Sequence, residues 1–141
     1  EKSLEDCAGL TSFAEYFDFA RTKGTLHIHS GLDYTYVAKQ CTGPFKISGY
    51  NNVASCTDLT NNMMAGPVAA AVDANNWQFY KSGIFTSCDP NSLNHSVLVV
   101  TMTDTYWRLK NTWGTSWGES GYIRIGPGNT CGVCRFGSRP K

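Results

Sequence analysis

The sequence predicts a mixed protein, helical in its first half and mostly β in its second, with a large share of loop. Three observations predict it. A capped segment with one apolar face lies near the start, and short apolar runs rich in β-branched residues follow from position 68 onward. Charged residues make up only 16% of the 141, so Asn, Thr, Ser and Gly carry the polar load, as suits a loop-rich β-containing chain.

The elements can be justified in chain order. Ser12 is placed to cap a helix, Glu15 completes a capping box three residues later, and Gly24 is a natural stop. Phe13, Ala14, Phe17 and Ala20 fall on one face at helical spacing, so this helix is expected to bury that face. From Gly24 to Tyr50 the chain is irregular, with short alternating pieces at 26–29 and 45–47 between the turn formers Gly31, Gly43, Pro44 and Gly49. A second, short helix is expected at 57–64, capped by Thr57 and ended by Gly66-Pro67. Strand-like runs follow at 68–73, 95–102, 106–110 and 122–125. Between the last two lies a glycine-rich loop carrying Trp113 and Trp117, which need a surface to pack on.

Composition excludes several function classes. The length allows one domain, and a hydrophobic content of 41% with many aromatics excludes disorder. A net charge of +1 without any Lys/Arg run gives no footprint for nucleic acid or an acidic membrane surface. The longest apolar runs, 68–72 and 97–100, are far too short to span a bilayer. Six cysteines, at positions 7, 41, 56, 88, 131 and 134, read as disulfides formed in an oxidising compartment. Cys131-Gly132-Val133-Cys134 lacks the second paired motif of a zinc site, and His27 with His29 lacks a third ligand. No metal and no cofactor is expected. The chain opens at Glu1 with neither Met nor an apolar leader, so it is expected to be processed or part of something longer.

Chemistry concentrates at His95 and Asn111. His95 opens an apolar strand and Asn111 ends another, and a hairpin through Thr103-Asp104-Thr105 would lay the two strands side by side. Antiparallel pairing then brings both to one edge, where an amide can orient an imidazole beneath a shielding Trp. The Asn94-His95-Ser96 triplet also fits a glycosylation acceptor, but its position at a strand entrance beside that histidine leads us to expect it unmodified.

The run from Leu93 to Val100 and the run from Tyr106 through Asn111-Thr112-Trp113-Gly114-Thr115-Ser116-Trp117-Gly118 to Ile125 resemble the histidine and asparagine blocks of papain-family cysteine proteases. Leu4-Glu5-Asp6-Cys7, Gly66-Pro67-Val68 and Cys131-Gly132-Val133 follow the same family's order along nearly the whole chain. The resemblance implies an α+β, papain-like fold of two lobes, of which residues 1–141 would hold most of the β-barrel lobe and part of the helical one. It implies a cysteine endopeptidase in which His95 is the general base and acid, Asn111 holds its ring, and Trp113 covers their bond. Ala71, Leu93 and Phe136 match the S2 pocket; all are apolar, which implies a hydrophobic P2 preference. Cys7–Cys41 and Cys88–Cys131 match family disulfides, while Cys56 and Cys134 have no family partners and are left open between pairing with each other and other fates. The family's nucleophilic cysteine and oxyanion glutamine have no match here. They are expected on an N-terminal segment or companion chain, whose central helix would cover the face of Phe13 and Phe17. A peptide or protein substrate and a lysosomal, vacuolar or secreted location are implied. The family's Cys-Asn-Gly-Gly loop is replaced by Cys7-Ala8-Gly9-Leu10-Thr11, which leaves an inactive, binding homologue as the alternative.

Overall fold

The computed structural model describes residues 12–24 and 44–141. Its contacts divide into two units, Glu1–Tyr50 with Pro140–Lys141, and Asn51–Arg139. The expected Cys7–Cys41 bridge and the His27/His29 pair lie outside the described residues.

In the first unit, helix α1 runs over Phe13–Thr22. Its capping box is complete: Glu15 N–H donates to Ser12 Oγ (3.3 Å) and Ser12 N–H donates to Glu15 Oε2 (3.0 Å). Only Ala20 of the expected face is buried; Phe13, Ala14 and Phe17 are part-exposed, although the Phe17 ring lies 5.8 Å from that of Tyr50. Lys141 closes the unit by exchanging backbone hydrogen bonds with Gly49 (3.0 and 2.8 Å).

The second unit is built on a sheet. The strands are β1 (Tyr50–Val53), β2 (Val68–Val72), β3 (Ile84–Phe85), β4 (His95–Met102), β5 (Trp107–Lys110), β6 (Tyr122–Ile125) and β7 (Gly137–Pro140), arranged β1-β7-β2-β4-β5-β6-β3. With two helices in the described residues the fold is α+β. The second helix, α2, spans Cys56–Met63, and its cap is Ser55 rather than Thr57, because Ser55 Oγ accepts the Asp58 N–H at 3.0 Å. Alternation explains the core: Val68, Ala70 and Val72 of β2, Val97 and Val99 of β4, Leu109 of β5, and Ile123 and Ile125 of β6 are all buried against Leu59 and Trp77. Thr103 shapes the β4–β5 turn, its hydroxyl accepting the N–H groups of Thr105 and Tyr106 (3.3 and 3.1 Å). A register shift between Val99 and Thr101 marks a bulge in β4 just before that turn.

Two disulfides converge on one tight turn. Cys88 is joined to Cys131, and Cys56 to Cys134, so the 131–134 turn is tied both to the segment before β4 and to α2. No helix among the described residues is long and apolar enough to cross a membrane.

Candidate active site

His95 begins β4, where it pairs with Val72 of β2, and Asn111 follows directly on β5. The antiparallel hairpin carries both to the same end of the sheet, and Asn111 Oδ1 lies 2.8 Å from His95 Nε2. The amide's orientation is fixed independently, because the Thr112 N–H donates to that same Oδ1 at 2.8 Å. An oxygen therefore faces the imidazole, and only a protonated Nε2 can bond to it. In the neutral ring the lone pair is then on Nδ1, which has no hydrogen-bond partner among the described residues. Asn111 is 6% exposed, and its Nδ2 is buried without an acceptor. An orphaned buried N–H costs about 1–3 kcal/mol, so the amide is held at a cost on its nitrogen side while its oxygen is doubly engaged.

Three indoles surround the pair. Trp113 lies over the imidazole at 5.2 Å with the planes tilted by 35°, and it remains 40% exposed. Trp77 meets the imidazole edge-on at 6.2 Å and is wholly buried, with Trp117 stacked on it at 6.2 Å and 5.1 Å from Trp113. The Trp117 Nε1–H donates to the Trp77 carbonyl (3.1 Å), linking the two segments. Trp77 was not singled out in the sequence; the one signal for it was an indole in an Asn-rich turn ahead of the histidine strand.

The loop between β5 and β6 holds its shape through backbone freedom and one ion pair. Gly118 sits at φ +55°, and a Cβ there would meet the Tyr122 carbonyl at 2.6 Å, so only glycine fits. Glu119 receives Arg124 through Nη2 (2.6 Å) and Nε (2.9 Å) and also accepts the Gly83 N–H (3.0 Å). The Arg124 guanidinium holds the Glu119 carboxyl down at about 2. Burial pushes the neighbouring Tyr80 phenol up, and its hydroxyl donates to the Gly83 carbonyl (2.7 Å).

Ahead of His95, the buried Asp73 gathers N–H groups from Asn75 (3.0 Å), Asp89 (2.7 Å) and the Asn94 side chain (3.2 Å), while Asn94 Oδ1 accepts the Ala74 N–H (3.0 Å). This clamp fixes the chain one residue before the histidine, and no motif in the sequence announces it.

Two of the three apolar candidates, Ala71 and Phe136, are neighbours through their backbones. The Ala71 N–H donates to the Phe136 carbonyl (2.8 Å), and Leu93 Cδ2 occupies the space where a side chain on Gly132 (φ +77°) would go. Phe136 is 59% exposed. Arg135, half-buried, reaches back from the same turn to donate through Nη1 to the Pro90 carbonyl (3.1 Å) and Asn91 Oδ1 (2.9 Å), with its Cζ 5.9 Å from the Phe136 ring centre. Among the described residues no three His, Cys, Asp or Glu side chains are grouped to hold a metal ion.

Comparison with known proteins follows from this geometry. Residues 2–140 match the family described as papain family cysteine protease. The chain is 36% identical over 156 residues to cathepsin L 1 of Paramecium tetraurelia, covering 99% of this chain and 48% of that protein. It is 40% identical over 165 residues to a cathepsin L-like proteinase of Fasciola hepatica, covering 99% and 50%. Thus it spans about half the length of the curated relatives it matches. Among solved structures, digestive procathepsin L 3 of Tenebrio molitor superposes with a TM-score of 0.77 at 32% identity, covering 99% of this chain and 54% of that one. The bromelain protease of Ananas comosus, solved with the E64 inhibitor, gives 0.77 at 31% identity, covering 99% and 75%.

Proposed function

The chain belongs to the papain family of cysteine proteases, and on that premise we propose that it supplies the His-Asn half of a Cys-His-Asn endopeptidase site. The observation that carries this is the imidazole whose Nε2 is engaged by Asn111 Oδ1 while Nδ1 has no partner among the described residues. Cys56, Cys88, Cys131 and Cys134 are locked in disulfides and unavailable as nucleophiles. We place the nucleophilic cysteine, with the glutamine of the oxyanion hole, on an N-terminal segment or companion chain.

The chemistry follows from the tautomer. Nδ1 takes the proton of the thiol, and the imidazolium is held by Asn111 Oδ1 and by the face of Trp113. The thiolate attacks the peptide carbonyl; as the C–N bond breaks, the Nδ1–H proton passes to the leaving amine. His95 Nδ1 then removes a proton from water, which adds to the thioester, and the proton returns to sulfur as the acid leaves. The apolar character of Ala71, Leu93 and Phe136 supports a hydrophobic side chain at P2. Disulfides on this chain support a lysosomal, vacuolar or secreted location.

The test is peptide sequencing by mass spectrometry of everything that copurifies with the chain, with and without reduction, followed by alkylation of an active-site thiol. A segment carrying a free, alkylatable cysteine, and peptide hydrolysis lost on alkylation, is the expected result. Ser or Gly in place of that cysteine would end the peptidase proposal. It would favour the binding homologue, for which the replacement of the family's paired glycines by Ala8-Gly9-Leu10 already speaks.

A further inference from the structure

Arg135 stands out among the groups the mechanism does not use. A half-buried guanidinium ordinarily lies against a carboxylate, because removing it from water is costly unless the charge is paired. Arg135 has none among the described residues: the two ion pairs there are Arg21–Asp18 and Arg124–Glu119. Its partners are two neutral oxygens, the Pro90 carbonyl and Asn91 Oδ1, both taken by the single nitrogen Nη1. Nη2 and Nε have no acceptor among the described residues, and their N–H groups form one side of the planar fork that matches a carboxylate.

The fork is rigid and well placed. Its backbone N–H donates to the Gly132 carbonyl (2.9 Å) inside a turn whose two ends are disulfide-bonded, so the turn cannot easily swing. The Pro90 carbonyl that anchors it lies 2.7 Å from where a Cβ on Gly132 would sit, and Leu93 packs into that same space. The guanidinium therefore sits at the Pro90 carbonyl and within 5.9 Å of the exposed ring of Phe136.

We propose that Arg135 makes the P2 site accept an acidic side chain: a peptide presenting Glu there would run its methylenes along Phe136 and set its carboxylate on Nη2 and Nε. The inference rests on the proposed function, since it names the substrate class of that site, and it adds a cationic group to a wall otherwise read as purely apolar.

The experiment compares the isosteric P2 pair Glu and Gln in otherwise identical fluorogenic peptides, using the complete enzyme at neutral pH. A charge-assisted fork predicts a Glu/Gln ratio of kcat/KM of about ten at low salt, falling several-fold in about 1 M salt as the charge is screened. R135Q retains an N–H donor for Pro90 and Asn91, and there the ratio should fall to about one. A wild-type ratio at or below one, or a ratio unchanged in R135Q, overturns the proposal. Should R135Q fail to fold, the wild-type ratio and its salt dependence decide alone. If no peptide is cleaved, the peptidase proposal has failed separately. Titration of N-acetyl-Glu-amide against N-acetyl-Gln-amide, followed at the Arg135 Nε–H resonance, still decides this one. A shift with Glu only supports it, and equal responses overturn it.

Discussion

Truncating Asn111 to Ala separates what this residue does for the site from what it does for the fold. The change removes Oδ1, which accepts from His95 Nε2 and Thr112 N (both 2.8 Å), and it removes Nδ2, which is buried with no acceptor. Each lost hydrogen bond is worth about 1 kcal/mol net, and Thr112 is exposed, so its N–H can turn to water. Deleting the orphaned Nδ2 recovers about 1–3 kcal/mol of desolvation cost. These changes nearly cancel, so the unfolding free energy should move by no more than about 1.5 kcal/mol in either direction. Catalysis has no such compensation. An imidazole free to rotate presents Nδ1 to the thiol for only part of the time, and misplacement on that scale costs about 10²-fold in kcat with KM little changed. Guanidinium unfolding and steady-state kinetics on the complete enzyme check both halves. A loss of about 3 kcal/mol or more with kcat within a few-fold of wild type would refute the reasoning and make Asn111 a structural amide.

Three further outcomes are expected. The Glu119 carboxyl is held at about 2 against an ordinary value of 4.5, so the stability it contributes is present above about pH 4.5 and is lost as pH falls toward 2. Glu119→Gln should accordingly be less stable than wild type at pH 6 and approach it near pH 2, and parallel urea titrations would expose an error as a pH-independent gap. Removing the Cys56–Cys134 bridge by a double Ala substitution opens a loop spanning 78 residues, but the Cys88–Cys131 bridge nested inside it shortens the effective loop to about 36, giving a loss of about 4 kcal/mol. A drop below about 1 kcal/mol in denaturant unfolding would mean that the bridge adds little to the 131–134 turn. Gly132→Ala places a methyl group where Leu93 now packs, at φ +77°, so the P2 profile should change more than turnover of a peptide lacking a P2 side chain; equal losses on both would disconnect Gly132 from the pocket.

Local signals carried the sequence furthest. The run at 95–102 coincides with β4 because alternating Val97 and Val99 must face one core. The capping box of α1 is written in Ser12 and Glu15. The nearness of His95 and Asn111 was legible because a short hairpin fixes which residues end up opposite one another. What escaped depends on partners distant in sequence. Asn51 and Asn52 of β1 and the Gly137–Pro140 strand carry no alternating apolar pattern, and β7 is a strand because β2 and β1 flank it. The Asp73 clamp on Asn94 spans 21 residues, and no spacing rule foretells it.

The distribution of unsatisfied groups points to the same place as the geometry. Buried polar atoms in folded proteins are nearly all hydrogen-bonded. Among the described residues the two buried side-chain exceptions are Asn111 Nδ2 and Trp77 Nε1, and both residues pack against His95. Other polar side chains in the described sheet and loops are met: Asp73 by three N–H groups, Glu119 by Arg124 and Gly83, Ser138 Oγ by the Asn51 carbonyl. Among the described residues, the two bare buried donors therefore both belong to residues that pack against one histidine, and the stability cost they carry falls where the proposed site would need an imidazole held in one orientation.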